Sequence, residues 1–197
     1  MRYDRDHKEQ TRARVLKEAA REIRAKGPGG IGVAGIMARA GLTHGGFYAH
    51  FKSKDALVAA ALDTMFDDAR ARFERTGNDT DPRRALRAYV DFYLSALHRD
   101  ARDRGCPLPS LSGDLARGDD DARARFGRGL AGLTGRLAER LRQLGHAEPD
   151  RDAASLVTEL VGAVALSRAV ADPEQSDSIL ANTRASVLAR FNLEDAA

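Results

Sequence analysis

Apolar residues recur three and four positions apart along most of the chain, the spacing of helices with one buried face. Leu16, Ala19, Ala20 and Ile23 predict a helix over about 7–26, stopped by Gly27-Pro28-Gly29-Gly30. Val33, Ile36, Met37 and Ala40 predict a second over 33–39, and Phe47 and Phe51, four apart, the inner side of a short third over 43–50. A fourth, with Ser53 as N-cap, carries Leu57, Val58, Leu62, Met65 and Phe66 to about residue 75. The stretch 76–82 is a linker, in which Asp81 caps the next helix and Pro82 takes its first turn. That fifth helix runs over 82–101, with Leu86, Tyr89, Val90, Tyr93, Leu94 and Leu97 on one side. Arg104-Gly105-Cys106-Pro107-Leu108-Pro109 breaks the pattern, and a short helix follows over 110–117. Three more are expected over 119–144, 150–171 and 174–191. The fold class is therefore all-α, with about nine helices.

Two turns carry more information than their length suggests. Gly41 supplies the left-handed backbone that a sharp helix-to-helix turn needs, and Thr43 is placed to cap the short third helix. With Phe47 and Phe51 turned inward, Thr43, His44, Gly45, Tyr48 and His50 remain on the outer side. A glycine pair, a tyrosine and two histidines contribute little to a short helix's stability. They suit a surface that presses against another molecule.

Composition narrows the partner. The 197 residues are 43% hydrophobic, 31% charged and 6% aromatic, with a net charge of +3. Residues 1–54 hold 12 Lys and Arg against 5 Asp and Glu, and the remainder holds 20 against 24, so +7 on the first part stands against −4 on the second. A basic head on a mildly acidic body fits a nucleic-acid binder with a separate regulatory or assembly region; the alternative is a solvated basic helix. No apolar run is long enough to cross a bilayer and no signal peptide opens the chain, so no membrane partner and a cytoplasmic location are expected. The single cysteine allows no internal disulfide.

The segment from Ala40 to Leu57 follows the pattern A-G-x-T-x-G-x-x-Y-x-H-F-x-S-K-x-A-L. With the helices before it, this resembles the helix-turn-helix of the TetR family of bacterial transcription repressors, a likeness covering about residues 8–62. The resemblance implies a DNA-binding head at 1–54 and a ligand-binding and dimerisation body at 55–197. It implies a homodimeric repressor on a pseudo-palindromic site in double-stranded DNA, released by a small-molecule or thiol-reactive inducer. It implies neither a cofactor nor an enzymatic activity. The alternative is an activator, or an unregulated DNA binder, with the same head. By position against the family, Tyr48, His50 and Lys54 are phosphate contacts; Thr43 and His44 begin the helix, where side chains reach base edges, and Gly45 lets the backbone approach closely. Tyr48 packed on the core, Thr43 as a cap alone and Lys54 as a free surface charge are the plain alternatives. Gly32 stands where many members carry a capping Ser or Thr. Arg2 and Arg5, on an arm over residues 1–6, either reach DNA or belong to a disordered tail.

For the body, the resemblance implies a ligand pocket among its helices. Candidate liners are Phe66, Tyr89, Phe92, Tyr93, His98, Leu111, Phe126 and Leu130, all equally readable as core. Cys106 lies at a helix start beside Arg102 and Arg104, where positive charge and the helix N-terminus favour thiolate; the alternative is a buried structural thiol. The helices at 150–171 and 174–191 carry more apolar surface than one internal contact needs, which suits pairing with a second copy in a four-helix bundle. Gly127-Arg128-Gly129-Leu130-Ala131-Gly132 spells a dinucleotide-binding string but follows no strand. Those glycines are read as sites of close helix packing.

Overall fold

The computed structural model describes residues 2–194, and among them every regular element is helical. The elements are α1 (Arg2–Lys26), α2 (Val33–Arg39), a 3-10 helix (His44–Ala49), α3 (Lys54–Thr76), α4 (Pro82–Tyr93), α5 (Ala96–Asp100), α6 (Pro107–Leu115), α7 (Asp120–Gln143), α8 (Pro149–Ala169) and α9 (Pro173–Arg190). None of these helices is long and apolar enough to cross a membrane. The first helix starts at Arg2, where an arm was expected over residues 1–6. That stretch holds neither glycine nor proline, so nothing in it stops a helix. The side chains of Arg2 and Arg5, offered above as DNA contacts, lie outside the described residues.

Two hydrophobic cores form, and α3 belongs to both. In the head, Val15, Ala19 and Ile23 of α1 meet Leu57, Ala61 and Met65 of α3, with Ile36, Met37, Phe47 and Phe51 closing the cluster. In the body, Phe73 at the far end of α3 joins Leu86, Tyr89, Val90 and Tyr93 of α4, Leu137 and Leu141 of α7, and the inner faces of α8 and α9. Each fully buried Leu or Ile contributes about 1.5–3 kcal/mol. At 23 residues, α3 is a rod of roughly 34 Å.

Short α6 bridges the two parts. Its Leu111 and Leu115 are buried in the head core, so Leu111 is not a pocket liner. Gly27, left-handed at φ 73°, ends α1 against the Asp114 side chain; a Cβ there would come within 2.7 Å of a carboxylate oxygen. Nearby, the buried Arg24 guanidinium donates to the Met65 carbonyl (3.1 Å) and to Asp68 (2.9 Å), fixing α1 on α3. Arg168 of α8 reaches across to the carbonyls of His98 and Arg99 and to Ser110 Oγ, at 2.9–3.0 Å, and so ties α8 to α5 and α6.

The expected helix over 82–101 is broken after Tyr93. Ser95 Oγ accepts from His98 N–H and so caps a new turn. The Tyr93 carbonyl takes a 2.8 Å bond from the His98 ring. The other ring nitrogen of His98, Nε2, accepts the Cys106 N–H at 3.0 Å, so the proton resides on Nδ1. Burial lowers the pKa of this imidazole to about 4, and protonation would set two donors against each other at Nε2.

A pH dependence follows, because between pH 6.5 and about 4 the unfolded chain binds a proton at His98 that the native state excludes. Stability from this group is complete above pH 6.5 and falls as pH drops towards 4, by on the order of 3 kcal/mol. Urea titrations across that range should show the loss, and His98→Asn should flatten it.

Candidate functional site

The helix-turn-helix is set by backbone first. Gly41 takes φ 74°, and the Gly41 and Leu42 N–H groups return to the carbonyls of Ala38 and Met37 at 3.0 and 2.9 Å, closing α2. Thr43 N-caps the next element without a side-chain hydrogen bond; its carbonyl takes the Gly46 N–H instead. The expected Thr43 hydroxyl cap is therefore absent, which leaves that hydroxyl at the exposed surface. The short third helix is 3-10 over His44–Ala49, narrower than an α-helix. Gly32 caps α2 without a side-chain bond. Arg39 pairs with Glu22 at 3.1 Å and lies 3.7 Å from Glu18, holding α2 on α1.

The structure collects the head candidates on one side of this unit. Phe47 and Phe51 stack at 5.7 Å in the core and anchor it. Thr43, His44 and Gly45 are exposed, and Tyr48 stands out at 72% exposure, its ring edge-on to Phe47. His50 is half-buried, with Nδ1 out of solvent and without a hydrogen-bond partner. Burial lowers its pKa, helped by the charges of Lys8 and Arg12. Arg12 itself lies over the Phe51 ring, 5.0 Å from its centroid.

Lys54 opens α3, whose N-cap Ser53 accepts the Ala56 N–H at 3.0 Å. A cation there opposes the helix dipole, so an incoming phosphate would meet both the lysine and free backbone N–H groups. Lys8 and Arg12, on α1 beside His50, were missed in the sequence; their i, i+4 spacing on a basic helix was the available signal.

In the body, a cavity of about 170 Å³ opens between α3 and α7. Phe66 and Cys106 both line it. Phe126 packs edge-on to Phe66 at 5.9 Å. Tyr89, Phe92 and Tyr93 gather with His98 behind Cys106, around a gap of only about 10 Å³. Leu130 faces outward. Phe73, Leu133 and the arginines 70, 128 and 136 also line the cavity, and sequence reading passed them over. The α7 glycines do permit close packing: at Gly129 a Cβ would fall 2.3 Å from the Phe66 ring.

Cys106 is 7% exposed and N-caps α6. Burial pushes its thiol pKa up, against opposing contributions from Tyr93, the Leu108 backbone, Arg24 and Arg168. The thiolate expected from Arg102 and Arg104 is thus disfavoured. Those two arginines turn elsewhere, to the Arg168 carbonyl (3.2 Å) and to Asp103 (3.4 Å).

A left-handed glycine turn, a short exposed helix on a basic three-element head, and a separate helical body define a helix-turn-helix regulator class. The family model for bacterial regulatory proteins of the tetR family matches residues 15–61, and that for the tetracyclin repressor-like C-terminal domain matches 82–187. The chain belongs to the TetR family. It is similar to the HTH-type transcriptional regulator TtgR of Pseudomonas putida, 31% identical over 106 residues, 53% of this chain and 50% of that protein. The chain spans about half the length of the curated relatives it matches. Among solved structures, E. coli NemR in its reduced form superposes with TM-score 0.79 at 22% identity, over 90% of this chain and 95% of that one. A TetR regulator from Chloroflexus aurantiacus gives 0.80 at 22%, over 95% and 96%. These two likenesses show the fold.

The turn can be tested directly. Gly41→Ala meets open space but keeps φ 74°, so it should lower stability by about 1–2 kcal/mol in urea unfolding.

Proposed function

We propose that this protein is a homodimeric, cytoplasmic transcriptional repressor that binds a pseudo-palindromic site in double-stranded DNA. The observation that carries this is the exposed tip formed by Thr43, His44, Gly45 and Tyr48, held on a buried Phe47–Phe51 anchor in a head of net positive charge. Tyr48, His50 and Lys54 are assigned to phosphates, Thr43 and His44 to base edges, and Gly45 to close approach of the backbone. Residues 1–54 act as the reading head and 55–197 as the sensing and pairing body.

The pairing surface is the outer side of α8 and α9. Ala154, Thr158 and Leu166, the last 60% exposed, lie on α8, and Ala181, Ala185 and Ala189 on α9. Small side chains there let two copies approach closely about a two-fold axis. Two heads then present their tips to successive major grooves, about 34 Å apart.

Release comes from a small molecule in the cavity between α3 and α7, where Cys106 forms part of the wall. Two routes are open to such an inducer, occupancy and reaction with the thiol. The solved relative named for its reduced form supports the second. Burial holds this thiol protonated, so the reaction proceeds through a small thiolate fraction, and the reagent must first enter the cavity.

Fluorescence anisotropy on the DNA upstream of the gene tests the head. Lys54→Gln should weaken binding to every duplex and reduce the salt slope by about 1, whereas changes at Thr43 or His44 should shift sequence preference. An unchanged slope in Lys54→Gln removes Lys54 from the contact set.

Cys106→Ser tests the sensor: it should keep DNA affinity within about twofold, a change under about 0.5 kcal/mol, and lose the response to N-ethylmaleimide. A wild-type response in that variant excludes the thiol route.

A further inference from the structure

We propose that the cavity between α3 and α7 takes a small aromatic carboxylate, its ring on the apolar floor and its anion on Arg136 and Arg128. The proposal rests on the reading of the body as ligand-binding and names the chemistry of the ligand.

Charge is the first argument. Of the guanidiniums lining the cavity, that of Arg70 is compensated by Asp67 at 3.1 Å. Arg128 and Arg136 form no ion pair among the described residues. Several other body arginines have a carboxylate, Arg99 on Asp100 and Asp177, Arg142 on Glu139 and Arg184 on Asp91, while Arg168 spends its donors on two carbonyls and a hydroxyl. Arg136 is half-buried and spends one donor on the Gly132 carbonyl, at 2.8 Å, one turn back along its own helix. Its other N–H donors remain for a ligand. Its charge acts on the fully buried Tyr89 phenol, countering the rise that burial imposes there. A guanidinium held partly out of water with no counter-charge carries a desolvation cost that an incoming carboxylate offsets through a bidentate pair.

Size and shape supply the rest. The cavity measures about 170 Å³, close to the roughly 150 Å³ engineered cavity that admits benzene, so it holds one ring and little more. Phe66, Phe73 and Leu133 give it apolar and aromatic walls. Gly132 lies midway between Arg128 and Arg136 on the same face of α7, and without a side chain it lets the Arg136 guanidinium lie over it at the cavity wall, where a Cβ would fall 3.2 Å from Nη1. A purely apolar ligand would leave both cations unmatched; an amine would add a third charge of the same sign.

The test is calorimetric titration of the full chain with benzoate, its neutral isostere benzamide, and benzylamine. Benzoate should bind at least about tenfold more tightly than benzamide, and benzylamine should not bind. Arg136→Gln should weaken benzoate about tenfold, in line with a charge-assisted pair at a half-exposed site, and leave benzamide unchanged. Exposed Arg128→Gln should act in the same direction to a smaller extent. Equal binding of benzoate and benzamide, or indifference of benzoate to both substitutions, overturns the carboxylate and leaves the cavity as a ligand site. If none of the three binds, the carboxylate falls. The ligand reading falls with it if Gly132→Phe, which fills the cavity, responds to a broad small-molecule library by thermal shift just as the wild type does.

Discussion

One continuous helix shared by two cores constrains everything else in this molecule. The first half of α3, through Leu57, Ala61 and Met65, is packed in the head, and Phe73 near its end is packed in the body. A helix resists bending because each turn is closed by its own hydrogen bonds, so displacement at one end is carried to the other. Phe66 lies where the helix passes from one core to the other, against Gly129 and beside the cavity. In the proposed function, a ligand in that cavity would bear on α3 near its middle, between the two cores.

A second link runs through α6. Leu111 and Leu115 reach into the head core, while Arg168 holds the adjoining segment to α8 through three bonds. Cys106 stands at the start of α6 and also lines the cavity. Cavity, pairing helix and head are thus joined, in the proposed function, by two paths, through α3 and through α6, that meet around Cys106. In the proposed function, the effect of a ligand is a shift between two spacings of the heads, and its size is bounded by the ligand's differential affinity for them. Packed helices suit such a shift because their side chains interdigitate in discrete arrangements.

Much of this was legible in the residue order. Helical spacing placed the helices, and Ser53, Asp81 and Pro82 marked starts that the structure keeps. The Gly41 turn and the inward Phe47 and Phe51 followed from local chemistry, as did the exposed set around Thr43, His44, Gly45 and Tyr48. These features depend on contacts within a few residues, which is why a linear pattern encodes them. The break after Tyr93 was not legible, because the His98 ring that bonds the Tyr93 carbonyl is held from its other side by the Cys106 N–H, beyond the end of the helix.

What the sequence determined alone is the all-helical class, the basic head, and the family to which its turn motif belongs. Tertiary structure decided the rest. It buried Cys106 against the charge argument for a thiolate, since desolvation outweighs arginines whose side chains turn away. It also divided the aromatic candidates, sending Tyr89, Phe92 and Tyr93 into tight packing and Phe66 to a cavity wall, with unmatched arginines from another helix opposite. Periodicity tells which face of a helix is buried; which neighbour it meets, and whether space is left between them, depends on segments distant in the chain.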